Sequence, residues 1–505
     1  MRYFIEIDKI QLETQLISCY HLCTGRDRQM AKEYIIGRQD EIRRLEQCMK
    51  ETNAQLVILY GRRRIGKTYL ITEFFDGRFD FKLTGAYNEK KEVQLRHFAE
   101  ELSEHLKQEI ETPPDWPAAF RLLQKYLSSL PKDEKHIVFF DEMPWLDTMH
   151  SGFLPAFEYF WNDYGSTVHH LIFIICGSAS SWMTKNIARN KGGLFNRQTC
   201  SLFLKPFSLL ETEQYLHSRN ILWSRYDIAE CYMALGGIPF YLSLLTPDRT
   251  LSDNIDNLFF RKRSELWDEF SQLYRTLFSN SDKYIQIVET LSTKRSGLTR
   301  GEIAEKTGLP TNGNLSDMLG DLVHSDFVRV ETSFGKKQNE AHYQLRDYYS
   351  WFYFKFIKDR PGKDEHYWRN SYSSQAKLAW CGFTFEQVCK DHLPQIKQKL
   401  GIAGVLSEES SWLLKGTEDH NGAQIDLLID RRDHVINLCE IKFSTEEYVI
   451  SKNTDMELRN KIAAFISATR TRKTIQTTMI TTYGVKQNMY SNLINTQVVL
   501  DDLFQ

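Results

Sequence analysis

Residues 56–68, LVILYGRRRIGKT, decide the fold of this chain. The apolar run 56–60 reads as a strand buried on both faces, and the apolar residues after Lys67 (Leu70, Ile71 and Phe74) recur at helical spacing. Strand, glycine-flanked loop and helix therefore follow in the order that a phosphate-binding loop, or P-loop, requires. Gly61 and Gly66 permit the tight path that turns successive backbone N–H groups toward phosphate oxygens, and the helix N-terminus adds a favourable dipole. Lys67 can reach the β and γ phosphates, and Thr68 can ligate Mg²⁺. The expected nucleotide-binding residues of the loop are Gly61, Arg62, Arg63, Arg64, Ile65, Gly66, Lys67, Thr68 and Tyr69. A phosphate cradle built from backbone and Lys67 does not use the arginine side chains, which are expected to stay solvated or to face an acidic neighbour.

Working outward, a chain of 505 residues is too long for one hydrophobic core, so three or four domains are expected. A net charge of -2 with 26% charged residues excludes the class of proteins that bind nucleic acid through an overall basic field, while leaving local basic patches open. The nine cysteines are odd in number and scattered, with no C-x-x-C pair, which suits a reducing compartment and a cytoplasmic location. Cys19 and Cys23 flank His21, but two thiols and one imidazole without a fourth ligand make a weak case for zinc. The N-terminus, MRYFIEIDK, has no continuous apolar stretch of the kind a signal peptide carries. The aromatic segment 348–357, YYSWFYFKFI, is about half the length needed to span a membrane and contains Lys355. It is expected to pack into a domain junction, and no membrane association is expected.

Residues 1–29 read as an N-terminal extension, and the segment from Met30 leads into an amphipathic helix carrying Ile42, Leu45 and Met49. Beyond the P-loop, FDFKLTGAY (79–87) reads as a second strand. In HIVFFDEMPWL, four apolar residues immediately precede Asp141 and Glu142. Both carboxylates thus emerge at the C-terminal end of a buried strand, where ligands bind in open α/β sheets. Asp141 can hold Mg²⁺ opposite Thr68, and Glu142 can orient or deprotonate an attacking water. The run LIFIIC (171–176) forms the next buried strand and ends at Gly177-Ser178-Ala179-Ser180. From 207 to 245 the pattern is helical, broken at Gly236-Gly237-Ile238-Pro239, where glycine ends one helix and proline blocks backward extension of the next. Residues 283–346 read as three helices and a two-stranded wing, a winged helix-turn-helix. Asp317, Asp321 and Asp326 along the third helix would face DNA phosphates unfavourably, partly offset by Lys336 and Lys337 in the wing.

The last domain has its own constellation. QIDLLID (424–430) and VINLCEIKF (435–443) read as two strands joined by a charged turn. A hairpin centred on residue 433 sets Asp426 opposite Glu440, and alternation puts Lys442 on the same face as Glu440. Two carboxylates can hold Mg²⁺, and the lysine can orient water or stabilise phosphate charge. The same pattern also fits a cross-strand ion network on a solvated face.

Ile36-Gly37-Arg38 followed by Glu41, the P-loop, and the Asp141-Glu142 pair together resemble the archaeal-type ATPase family of AAA+/STAND-like P-loop proteins. That resemblance implies that Ile36, Gly37 and Arg38 lie against adenine. It also makes Ser178 a sensor beside the γ-phosphate, and Arg197 a phosphate contact from the same or a neighbouring chain. Pro239, in a G-x-P motif, would pack on adenine. The C-terminal hairpin resembles the PD-(D/E)xK nuclease superfamily, with Asp426, Glu440 and Lys442 joined by Glu386 from an earlier helix. Ile425 stands where that family has proline. The implied architecture is α/β and multidomain: a P-loop ATPase core (30–205), a helical lid (206–270), a winged helix-turn-helix (271–360) and a restriction-endonuclease-like α/β domain (361–505). The implied function is an ATP-binding and hydrolysing, Mg²⁺-dependent switch coupled to a DNA-binding or DNA-cleaving C-terminal domain, with homo-oligomerisation on nucleotide binding. The alternative is a regulatory ATPase whose nuclease-like domain is inactive and serves only to bind nucleic acid or protein.

Overall fold

The run of apolar residues before the P-loop becomes β1 (Gln55–Gly61), whose side chains are buried apart from the partly buried Tyr60. The computed structural model describes residues 35–188, 193–194, 197–278, 280–336, 340–359, 364–416 and 422–505. The expected N-terminal extension, the Cys19–His21–Cys23 group and Lys337 lie outside the described residues. The chain divides into two compact units, with the boundary between Lys205 and Pro206.

In the first unit β1 joins β2 (Phe81–Thr84), β3 (His136–Asp141), β4 (Leu171–Gly177) and β5 (Cys200–Leu204) in one sheet of order β2-β3-β4-β1-β5. All four pairings are parallel. Parallel strands need crossovers. Those among the described residues include α2 (Lys67–Phe74), α3 (Lys91–Leu106), α4 (Trp116–Ser128) and α5 (Phe153–Asp163), while α1 (Gln39–Lys50) precedes the sheet. Alternation along β1 sends Leu56 and Ile58 into a core shared with Val138, Phe140, Phe173 and the apolar faces of α3, α4 and α5. Aromatic rings dominate that core, with Trp116 and Phe153 at 4.8 Å and Phe140 and Phe173 at 5.0 Å between centroids. α1 buries Ile42, Leu45 and Cys48. Its third inward position is therefore Cys48, three residues after Leu45, and the expected Met49 is only partly buried.

In the second unit, α6 (Leu209–Ser218) opens with a Ser208/Glu211 capping box, and α7 (Arg225–Leu235) ends at Gly236 with φ 70. α8 (Pro239–Ser243) then starts at the proline. A Cβ on Gly237 would lie 2.4 Å from the Phe207 carbonyl oxygen, so that turn admits only glycine. Further along the chain, α9 (Ser281–Ser292), α10 (Arg300–Thr307) and α11 (Gly313–His324) precede the antiparallel pair β6 (Val328–Glu331) and β7 (His342–Leu345). The aromatic segment near 350 is core: Tyr348, Tyr349, Trp351, Phe352 and Phe356 are all buried. No helix among the described residues is long and apolar enough to cross a membrane.

The C-terminal sheet has order β12-β11-β10-β9-β8, from β8 (Ser407–Leu414), β9 (Ala423–Arg431), β10 (Val435–Lys442), β11 (Thr474–Thr481) and β12 (Thr496–Val499). β8, β9 and β10 pair antiparallel, whereas β10, β11 and β12 pair parallel. α12 (Gln375–Asp391) and α13 (Lys452–Thr469) complete the described positions that frame the candidate cluster.

Candidate functional site

The P-loop owes its shape to three residues in the left-handed or glycine-only region: Gly61 at φ 151, Arg64 at φ 72 and Gly66 at φ 85. A Cβ on Gly61 would meet the Leu204 carbonyl oxygen at 2.3 Å, so glycine lets the edge strand β5 close on the loop. Lys67 is 5% exposed, and its Nζ donates to the carbonyl oxygens of Arg62 (2.8 Å) and Gly61 (3.2 Å). Its ammonium therefore folds over its own loop, in the cradle that phosphate oxygens would occupy. Arg38 holds the loop by donating to the carbonyls of Ile65 (3.2 Å) and Lys205 (2.7 Å). Ile36 and Gly37 sit partly buried beside it. Among the three loop arginines, Arg62 departs from the solvated expectation and is buried, while Arg63 and Arg64 are partly buried. Thr68 and Tyr69 open onto solvent.

Strand order now does chemical work. Because β4 lies between β1 and β3, the strand ends carrying the P-loop, Ser178 and the Asp141-Glu142 pair stand side by side at the carboxyl edge. The Thr68 hydroxyl donates to Asp141 Oδ2 at 2.8 Å, and the Glu142 N–H donates to Asp141 Oδ1 at 3.0 Å. Ser178, 2% exposed, donates from its backbone N–H (3.0 Å) and its hydroxyl (2.7 Å) to Glu142 Oε2. Glu142 adopts φ 46, a left-handed conformation that costs a non-glycine residue on the order of 1–2 kcal/mol. Its backbone is shaped by a residue that motif reading passed over. A Cβ on Gly85 would lie 2.5 Å from the Glu142 carbonyl oxygen, and the Gly85 N–H donates to the Asp141 carbonyl at 2.9 Å. The only sequence signal was a glycine directly after the strand residues FKLT.

The adjoining hydroxyl and carboxylate of Thr68 and Asp141 are the hard oxygen donors that Mg²⁺ prefers, so this site fits the ion. Arg197 is exposed in the turn before β5, its N–H donating to the Leu194 carbonyl at 3.1 Å. Pro239 is the first residue of α8, in the second unit.

Residues 35–245 match a family described as an ATPase domain predominantly from Archaea. Over this segment the chain is similar to an archaeal-type ATPase domain. An uncharacterized protein of Methanocaldococcus jannaschii is 25% identical over 413 residues, covering 81% of this chain and 87% of that relative. An uncharacterized ATP-binding protein of the same organism is 46% identical over 43 residues, 8% of this chain and 73% of the relative. Among solved structures, a Walker-type ATPase of Pyrococcus abyssi aligns at 18% identity and a TM-score of 0.46, covering 64% of this chain and 97% of its own.

In the second unit, the C-terminal hairpin pairs Ile436 with Asp430 through to Cys439 with Leu427. One further step in that register sets Glu440 opposite Asp426. Glu440 is 4% exposed and forms ion pairs with Lys442 (2.9 Å) and Lys461 (2.8 Å). Burial raises its pKa, but the two ammonium groups outweigh burial and hold the carboxyl below its ordinary range. Asp426 accepts from the Gln424 side chain at 2.7 Å and, with Glu386, lines a cleft of about 730 Å³ that Arg295, Lys390 and Lys415 also line. Burial, then the charge of Asp426, pushes the Glu386 carboxyl up to about 8. The structure therefore brings Glu386 and Asp426 to one cleft and commits Glu440 to two lysines. No group of three or more His, Cys, Asp or Glu among the described residues is placed to hold a metal ion. Asp426 and Glu440 stand at opposite register positions of the hairpin, with both oxygens of Glu440 paired to lysines. Lys461 escaped sequence reading because it approaches from α13, 21 residues beyond Glu440, through tertiary packing and not through strand alternation.

The three-helix segment is also less acidic toward solvent than its sequence reads. Asp321 accepts from the Tyr284 hydroxyl at 2.7 Å, and Asp326 pairs with Arg346. Asp317 remains exposed, and Lys336 pairs with Glu340 at 3.1 Å.

Proposed function

We propose that this protein is an ATP-hydrolysing switch whose second unit binds nucleic acid. The observation that carries the reading is the double anchoring of the acidic pair, Asp141 by the Thr68 hydroxyl and Glu142 by Ser178. Backbone N–H groups of residues 61–68 and the Lys67 ammonium bind and orient the phosphates. Bound Mg²⁺, held by Thr68 and Asp141, would supply neutralisation of phosphate charge. Ser178 fixes Glu142 through Oε2, leaving Oε1 to take a proton from the attacking water. Ser178 thus positions the base, and Arg197, exposed before β5, is the residue available to a neighbouring copy's nucleotide.

For the second unit, the binding reading is favoured by the neutralised Glu440 and by the exposed cations Arg295 and Lys415 at the cleft. Phosphate contacts of this kind position nucleic acid without reading sequence. Mg²⁺-dependent DNA cleavage is the second reading, supported by Glu386 and Asp426 sharing one cleft. A single experiment separates them. Labelled duplex DNA is incubated with Mg²⁺, with and without ATP, and both retention and cleavage are scored. The binding reading expects retention without cleavage, weakened by Arg295→Glu with Lys415→Glu. Cleavage that disappears in Asp426→Ala would replace it with the second reading, and neither retention nor cleavage would remove nucleic acid from the proposal.

A further inference from the structure

One polar side chain on the inward face of α3 bonds only backbone groups beside Asp141 and Glu142. The buried positions of α3 are Gln94, Leu95, Phe98, Ala99 and Leu102, and Gln94, 0% exposed, is the polar one among them. A side-chain amide offers an acceptor oxygen and two N–H donors. Gln94 Oε1 accepts from the Ala86 N–H at 3.0 Å, and Nε2 donates to the carbonyl oxygens of Ala86 (2.7 Å) and Trp145 (3.2 Å). With its oxygen and both N–H groups bonded, the amide can sit in the aromatic core without the penalty of an unpaired buried group.

Its partners lie 8 residues upstream and 51 residues downstream, in the loops that leave β2 and β3. Thr84 and Asp141 are register partners at the ends of those strands, so the loops start side by side. Next to them the Gly85 N–H donates to the Asp141 carbonyl, with no room for a Cβ against the Glu142 carbonyl oxygen. On the other side, the turn Met143–Trp145 returns its Trp145 N–H to that same Glu142 oxygen at 3.0 Å. Gln94 then ties the far ends of both loops together, and the Tyr87 ring meets Trp145 edge-on at 5.3 Å just outside the tie. A left-handed non-glycine residue such as Glu142 persists only where its surroundings over-determine it. These contacts are those surroundings.

We propose that Gln94 is a positioning residue for ATP hydrolysis, clipping the loops after β2 and β3 so that Glu142 keeps the conformation in which Ser178 fixes its carboxylate. The proposal rests on the reading of Glu142 as the base. Gln94 acts through the Glu142 backbone and bonds neither Lys67 nor Thr68, so it governs the hydrolytic step and not phosphate binding.

The test uses the full chain. Gln94→Met keeps the length of the side chain and removes its hydrogen bonds. Its kcat for ATP should fall about 10- to 100-fold, the cost of a small misplacement of a reacting group, while ATP affinity by calorimetry stays within about twofold. Leu95→Ala, its core neighbour on α3, should lower the urea midpoint and leave the kcat of the folded protein unchanged. Wild-type kcat in a Gln94→Met protein that binds ATP would overturn the proposal. An equal loss of kcat in Leu95→Ala would do the same, because the effect would then be general loosening. A measurement on the wild type decides the matter whether or not the variants fold: the Ala86 amide should exchange its hydrogen at least about 100-fold more slowly than an unstructured amide, and exchange at loop rates would mean that the clip is not made. Glu142→Gln tells the two readings apart. Retained turnover there removes the base itself, whereas turnover lost there and kept in Gln94→Met removes only the role of Gln94.

Discussion

The P-loop unit and the C-terminal sheet each carry acidic side chains at or next to strand ends facing a cleft or an open edge, and they treat those charges differently. Asp141 and Glu142 are held by neutral donors: a threonine hydroxyl, a serine hydroxyl and two backbone N–H groups. Such donors orient a carboxylate and leave its charge available to a cation or a proton. Glu440 is held by two ammonium groups, which cancel that charge. A metal ion at Glu440 would have to compete with two cations already paired to it, whereas at Asp141 it would meet only neutral donors. The difference teaches that carboxylate spacing alone does not define a metal site; the identity of the groups already bonded to it does.

The largest effect that could break this comparison lies at Glu142. Glu142→Gln keeps the size of the side chain and an oxygen for Ser178 to donate to, but it cannot accept a proton. Turnover of ATP, followed by phosphate release, should fall by about 10²–10⁴-fold while ATP affinity stays within about twofold. A variant that turns over normally would mean that the anchored glutamate is not the base. Lys67→Ala tests the cradle itself. Removing a buried ammonium that bonds only loop carbonyls in the structure should weaken ATP binding by about 100-fold in calorimetry, from the loss of charge-assisted contacts worth roughly 1.5–3 kcal/mol. Unchanged affinity would sink the phosphate reading of residues 56–68.

How much of this was legible follows the range of each interaction. The P-loop could be read because its glycines, lysine and threonine act within one short segment whose backbone path is local. The hairpin register was legible for a similar reason: a period of two and a turn centre at 433 place Asp426 and Glu440 opposite each other. Strand order was not, since nothing in the sequence says that β4 inserts between β1 and β3, and that insertion is what brings Ser178 to Glu142. Of the two expectations for Arg62, the solvated one fails because the closely packed P-loop buries it, where an arginine in a loop is ordinarily solvated. Lys461 was invisible for the same reason as strand order: its partner is chosen by packing of α13 on the sheet, 21 residues away.

The smallest expected effect sharpens the contrast inside the C-terminal cluster, where two glutamates are shifted in opposite directions. Glu386, raised by burial and Asp426 to about 8, keeps its proton in the folded state over a range where the unfolded chain, near the ordinary 4.5, has lost it. Between those values the folded state binds more protons, so stability falls as pH rises, by at most about 1.4 kcal/mol per pH unit. Glu440 is lowered, so its contribution is present above its unfolded pKa and is lost as pH falls through its folded value, below the ordinary carboxylate range. The two windows do not overlap. Glu386→Gln, which cannot ionise, should therefore gain stability relative to wild type as urea denaturation is moved from pH 5 to pH 8, and leave the acid limb below pH 4.5 unchanged. Parallel wild-type and variant curves from pH 5 to pH 8 would mean that Glu386 is ionised in the folded state. Its cleft, which Glu302 and Glu331 also line, would then carry further negative charge at Glu386 and Asp426, against which a bound cation, and not a nucleic-acid phosphate, would be the better match.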